Sequence, residues 1–432
     1  MPACTLDNEG AEHGGSRAIT GQLALGRYVP RAALHRPSRA AAVADPAPQQ
    51  GRDEESGLGS WLTAQRGSVM ILLLALACTP VEPLDLPEDP AATGVPVGVR
   101  TVEHRGVTFE VWYPARERAA EGEPEVVDLG DFVPQAFFDH VGDVDLPLLP
   151  TRALRDAEPR RTDGPLPVVL FSHGFGGFRL QSVDLTTHLA SRGYIVLAPD
   201  HPGRRLADVL PCLFSPPLAG CDLSGFVNDP GPDDLEDAAH WALSLPAEDP
   251  LAPWVDRERL GLLGHSAGGR SVGALGERDD RVGAVVALAM GPTVDRAVPL
   301  LGIAGACDGV VPLADVSAGI LASADPTLVT LAGAGHLAFT DLCALDLAGL
   351  AEEVLEGRDD LDATFYATLL DLGTDGCPGA TPEPDTCDAE AFLDLERGAH
   401  ILRHDLTVFF DHALRGTGPG VQPGVFEEAT VQ

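Results

Sequence analysis

The pentapeptide Gly264-His265-Ser266-Ala267-Gly268 constrains this chain more than any other feature. A short apolar run, residues 260–263, leads into it, and Gly269 and a helical pattern to about residue 277 follow. Small residues on both sides of a serine at a strand-to-helix junction mark a tight, strained turn in which bulky neighbours would clash. Such a turn belongs to a strand followed by a crossover helix, and therefore to a parallel sheet. The rest of the chain supplies one. Residues 107–113 alternate, and residues 168–172 are continuously apolar, as in a strand buried on both faces. Residues 194–198, 282–290, 300–305 and 328–332 read as further strands, and helical spacing fills 181–192 and 233–245. The alternation from about residue 98 to 415 predicts an α/β domain, a mostly parallel central sheet with helices on both faces.

A serine in such a turn is a weak nucleophile until a base takes its proton. Of the 13 histidines, His336 in Gly333-Ala334-Gly335-His336-Leu337 follows the last apolar run. The chain order nucleophile, acid, histidine requires this late position. His265 adjoins Ser266 but points away across the turn, and His400, His404 and His412 form a stripe on a C-terminal helix. A carboxylate must hold the histidine's tautomer. Asp308 follows the run 300–305 after Ala306-Cys307, whereas Asp295 lies farther from its own strand, behind Gly291-Pro292. The developing oxyanion needs two backbone N–H donors. One is Ala267, after the serine. The other is Phe175, in the loop Ser172-His173-Gly174-Phe175-Gly176-Gly177. A glycine-rich loop also suits phosphates, but a P-loop needs lysine, and all 29 basic residues here are arginine.

The segments SHGFGGFR, GYIVLAPDHPG, GHSAGG, GACDGVVP and GAGHLAFTDLC together resemble the α/β-hydrolase superfamily. Within it they are most similar to the platelet-activating-factor acetylhydrolase, dienelactone hydrolase and bacterial polyester-hydrolase branch, over residues 98–415. The resemblance implies the α/β-hydrolase fold and a serine esterase or lipase-like activity that needs no cofactor. It carries the triad over to Ser266, Asp308 and His336, with Phe175 and Ala267 as oxyanion donors. Animal acetylhydrolases place the acid after the preceding strand, where this chain reads VALAMGP, so Asp308 fits the polyester-hydrolase and dienelactone pattern better. Dienelactone hydrolases use cysteine where this chain has Ser266. The insertion at 203–232 reads as a lid lined by Leu213, Phe214 and Phe226 and braced by a Cys212–Cys221 pair. An amidase or peptidase with the same triad, or a surface lipoprotein that only binds, are the alternatives.

The 432 residues carry 65 acids against 29 arginines, a formal charge of −36. Residues 1–66 hold seven of each, so all of the net charge lies beyond them. A field this negative excludes nucleic acid and an anionic membrane surface as partners, because both need clustered cations. It favours a neutral ester substrate (small molecule, lipid or polymer) unless Arg179, Arg204 or Arg205 forms a local positive mouth. Residues 1–65 lack periodicity and read as disordered or as preceding the true start of translation. Residues 66–78 resemble a lipoprotein signal: a basic residue, about ten apolar residues where a span needs roughly twenty, then Cys78 as lipidation site. Ala75 stands where leucine is usual. A membrane contact is expected only through that anchor, and the localisation is extracytoplasmic. Residues 79–97 form a Pro-rich linker, 345–390 an acidic insertion and 416–432 a tail. Six cysteines beyond Cys78 suggest disulfides; for Cys307, Cys343, Cys377 and Cys387 the pairings 377–387, 343–377 and 307–343 are all open. No pair has the spacing of a zinc site, and the calcium-like run 371–382 ends on Pro382 instead of glutamate, so no metal is expected.

Overall fold

The computed structural model divides into two units, Met1–Leu76 and Ala77–Gln432. It describes residues 94–117, 122–142, 144–345, 354–355, 358–362 and 392–432, all in the second unit. The signal-like segment, Cys78, most of the linker, Cys377, Cys387 and the calcium-like run lie outside the described residues.

One ten-stranded sheet organises the domain. It starts with an antiparallel hairpin, β1 (Val97–His104) and β2 (Val107–Pro114), turned at Arg105 and Gly106, both at positive φ. β3 (Val126–Asp128) and β4 (Leu148–Pro150) make a separate ribbon, and β5 (Leu154–Arg155) pairs with β1. The parallel centre comprises β6 (Leu166–Ser172), β7 (Ile195–Pro199), β8 (Val255–His265), β9 (Val282–Leu288), β10 (Leu300–Gly305) and β11 (Pro326–Leu331). β12 (Ala429–Val431) closes the far edge antiparallel to β11. The order across the sheet is β12-β11-β10-β9-β8-β6-β7-β2-β1-β5.

Helices cover both faces, because the central strands are apolar on both. Along β6, Val168 and Leu170 enter one core with β8's Leu260 and Leu262, while Val169 and Phe171 enter the other with Leu263. The first core is covered by α3 (Gly231–Leu243), α4 (Ala267–Arg278) and α5 (Leu313–Leu321). The second is covered by α2 (Val183–Ser191) and α6 (Leu395–Arg415); α1 (Gln135–Val141) packs near the lid. The mostly parallel sheet with helices on both faces is therefore present.

The domain limits are wider than the sequence suggests. β1 begins at Val97, and the segment expected as a tail supplies β12 and the buried Val425 and Phe426. The lid segment is ordered around one-turn helices Leu206–Val209 and Ser224–Val227, with a Cys212–Cys221 disulfide of 2.07 Å. It is also stapled to part of the acidic insertion. Ser215 N–H donates to Asp360 O (2.8 Å) and Asp362 N–H to Leu213 O (2.7 Å). Because β6, β8, β10 and β11 are parallel, their C-terminal ends open on one side, where a ligand cleft belongs in such sheets.

Candidate active site

Ser266 sits between β8 and α4, capping the helix at φ 53°, ψ −120°, a conformation L-residues rarely adopt. Two glycines make room for it. A Cβ at Gly264 would strike the Gly268 backbone, and one at Gly268 would strike the Ser172 carbonyl. The Ser266 N–H donates to Leu288 O at 2.9 Å, pinning the turn to β9.

His336 opens the 3-10 turn His336–Phe339 after β11. Its Nε2 lies 2.9 Å from Ser266 Oγ and its Nδ1 lies 2.8 Å from Asp308 Oδ2. The other Asp308 oxygen accepts the N–H groups of Val310 (2.9 Å) and Val311 (2.8 Å). A carboxylate so held faces the imidazole with one fixed acceptor, which puts the histidine proton on Nδ1 and leaves Nε2 to accept from the serine. The loops carrying acid and histidine are tied together: Cys307 N–H donates to Ala334 O (3.0 Å) and Ala306 N–H to Leu331 O (2.9 Å). Cys307 and Cys343, flanking this pair, are both disulfide-bonded.

In the glycine-rich loop after β6, three amides are engaged. Gly174 N–H donates to Gln181 Oε1 (3.0 Å), Gly176 to Arg204 O (2.9 Å) and Gly177 to Gly174 O (3.2 Å). Among the described residues the Phe175 amide has no such partner, and neither does Ala267 at the start of α4. These are the two amides expected to serve an oxyanion.

A buried polar cluster lies behind this loop and includes Ser172 and His173 of the loop itself and Arg204, which the sequence offers as a possible cation at the mouth. The Arg204 side chain has no exposure. It donates to Ser172 Oγ (2.8 Å), His173 O (3.1 Å), Ser271 Oγ (2.8 Å) and Asp229 Oδ1 (2.6 Å). Ser172 Oγ also contacts His201 Nε2 (2.9 Å), whose Nδ1 reaches Asp234 Oδ2 (2.9 Å). The cluster repeats the residue types of the Ser266 line. Ser172 and His201 are wholly buried, however, so no substrate reaches them. Burial, then Arg204, push the His173 and His201 pKa values well below the ordinary histidine value, so both rings are neutral donors and acceptors. The sequence signal was the pair DHPG and GRR at the end of β7, which marks a strand end but not its burial.

The three arginines that could make a positive mouth are all neutralised. Arg179 pairs with Glu110 (3.2 Å) and Asp200 (2.7 Å), Arg204 with Asp229, and Arg205 with Asp208 (2.7 Å). The lid residues divide. Phe226 is 47 % exposed and meets Phe175 edge-on, ring centroids 5.4 Å apart. Leu213 and Phe214 do not line a pocket: each is 1 % exposed, packed in a small core with Phe137 and Leu355. Their apolar surface is spent on stapling the lid to α1 and the acidic insertion. His404 is buried beside Asp405. Among the described residues no group of three or more His, Cys, Asp or Glu side chains could hold a metal ion.

Residues 100–207, from β1 to the start of the lid, match the family model of platelet-activating factor acetylhydrolase, isoform II. None of the curated proteins matches the chain. Among solved structures, a ferulic acid esterase from Streptomyces cinnamoneus is similar at a TM-score of 0.53 and 22 % identity, over 81 % of this chain and 99 % of that one. The fold is the α/β-hydrolase fold.

Proposed function

We propose that this protein hydrolyses carboxylic esters through an acyl-enzyme on Ser266. The observation that carries this reading is the unbroken line Ser266 Oγ, His336 Nε2, His336 Nδ1, Asp308 Oδ2, with contacts of 2.9 and 2.8 Å, at the C-terminal edge of the sheet. Ser266 Oγ attacks the ester carbonyl while His336 Nε2 takes its proton. The oxyanion is received by the Phe175 and Ala267 amides, and Asp308 stabilises the imidazolium. His336 returns the proton to the departing alcohol. It then deprotonates a water that attacks the acyl-enzyme, releasing the acid and restoring Ser266.

The neutralised arginines and the Phe175–Phe226 corner favour a neutral ester with an apolar group at the mouth. The Cys212–Cys221 disulfide favours an oxidising, extracytoplasmic compartment, consistent with export through residues 66–78 and lipidation at Cys78. No helix among the described residues is long and apolar enough to cross a membrane. The test is Ser266→Ala on a short p-nitrophenyl ester and on the matching anilide. Ester turnover and fluorophosphonate labelling should both vanish in the variant, and the parent should cleave the ester far faster than the anilide. Labelling that persists in the variant overturns the assignment.

A further inference from the structure

We propose that Gln181 and His265 are positioning residues, joining the oxyanion loop to the His336 loop by one hydrogen-bonded chain that passes directly behind the nucleophile. The proposal rests on the roles given above to Ser266, His336 and Phe175. Gly174 N–H donates to Gln181 Oε1 at 3.0 Å; Gln181 Nε2 lies 3.0 Å from His265 Nδ1; His265 Nε2 lies 2.9 Å from His336 O.

The polarity of this chain is fixed from one end. A backbone nitrogen can only donate, so the Gln181 oxygen must face Gly174. That leaves the Gln181 amide group to donate to His265 Nδ1. His265 then carries its proton on Nε2 and donates it to the His336 carbonyl. One backbone donor thus sets an amide orientation and a tautomer. Gln181 and His265 are each 2 % exposed, so water cannot substitute for either. The fit is close: a Cβ at Gly177 would overlap Gln181 Oε1, and one at Gly174 would press on His265 Nδ1 and Ser266 Cβ. Burial, then His336, push the His265 pKa down to about 3, so the ring keeps its donor–acceptor pattern at neutral pH.

The chain ends one residue from the Phe175 amide and on the backbone of His336, and its middle member precedes Ser266. Neither side chain touches the reacting atoms. Both fix where the atoms that do so sit, and a misplacement of about 1 Å costs roughly a hundredfold in rate.

Two variants test this. Gln181→Met keeps the length and loses both bonds. Gln181→Glu keeps the acceptor toward Gly174; its carboxyl donates to His265 Nδ1 only when protonated, which reproduces the glutamine pattern. On a soluble p-nitrophenyl ester, Gln181→Met should lower kcat roughly ten- to hundredfold with KM within about threefold, and fluorophosphonate labelling should slow in step. For Gln181→Glu, the ratio of its kcat to the parent's should rise as the pH is lowered from about 8 to about 5.5 and the new carboxyl protonates. A purely structural role would lower the thermal midpoint and leave that ratio flat with pH. A flat ratio, or parental kcat in both variants, overturns the proposal. If the methionine variant does not accumulate folded, the pH-dependent ratio of the glutamate variant decides. Ser266→Ala, run in parallel, separates the two levels. Turnover in that variant removes the site assignment itself. An inactive Ser266→Ala beside fully active Gln181 variants removes only the positioning role.

Discussion

At Asp308 the two carboxylate oxygens have different tasks, and the difference sets a prediction. Oδ1 is committed to the Val310 and Val311 amides, so an asparagine at 308 would keep its oxygen there and turn its NH2 toward His336. His336 Nδ1 would then have to accept, its proton would move to Nε2, and Nε2 could no longer take a proton from Ser266. Asp308→Asn should therefore fold normally and lose roughly ten-thousandfold in kcat, read by ester kinetics beside a circular-dichroism spectrum. Ser266, Asp308 and His336 are legible in the sequence because each follows an apolar run after two or three intervening residues, at a strand end that only one kind of sheet places together. Gln181 and Arg204 are not. A glutamine in an amphipathic stretch and an arginine in a polar loop both read as solvated, and only tertiary burial assigns them to backbone groups. The same blindness misplaced Leu213 and Phe214: their apolarity was clear, but not whether it faced a substrate or the lid's own core.

Among the elements, β10 is the case where sequence and structure agree on both ends, at Leu300 and Gly305. Its six residues are all buried, so a continuous apolar run suffices to mark it. β1 and β12 went unread for the opposite reason. β1 exposes Thr101 and Glu103 and half-buries the polar Arg100 and His104 on its other face, and β12 has only three residues, so neither has an apolar pattern of its own. They are strands because β2 and β11 leave backbone donors and acceptors open beside them. The lid is held by contacts of both kinds. Its Cys212–Cys221 bond closes a separation of nine residues, and removing such a bond costs about 2–3 kcal/mol on the chain-entropy account. The Cys212→Ser, Cys221→Ser double variant should show faster amide exchange over residues 206–227, with the sheet's exchange unchanged. Equal exchange in both proteins would mean that the contacts to Asp360 and Asp362 hold the lid unaided.

Across the whole molecule, burial of histidine makes stability depend on pH. His173, His188, His201 and His265 all have pKa values depressed below the ordinary histidine value of 6.5, chiefly by burial; for His188 and His265 the value falls to about 3. The unfolded chain protonates these rings below 6.5 and the folded chain does not, so each contributes stability at neutral pH that is lost as pH falls, up to about 1.4 kcal/mol per unit. Asp234 and Asp341, both pushed up to about 7 chiefly by burial, act with the opposite sign: their contribution is present below 3.8 and lost as pH rises toward 7. Asp200 is raised by burial as well, so among the described residues four histidines stand against three carboxyls, and the thermal midpoint should fall as pH drops from about 7 to 5. His188 lies on α2, away from the reacting groups, and bonds Thr407 Oγ1 (2.8 Å). His188→Gln should therefore flatten that fall without altering kcat, checked by scanning calorimetry across the pH series. The −36 charge adds a long-range repulsion between copies, and the sheet supplies a short-range counterpart. Its two edges are finished by strands of two and three residues, β5 and β12, and Gln432 exchanges backbone bonds with Leu328 at 2.8 and 3.0 Å. At the β12 edge a neighbouring polypeptide seeking to extend this sheet finds little free ladder, because residues 329–331 of β11 are already paired. Removing only residues 429–432 would turn β11 into a six-residue template for fibre growth, so the guard against polymerisation rests on the shortest element of the fold's far side.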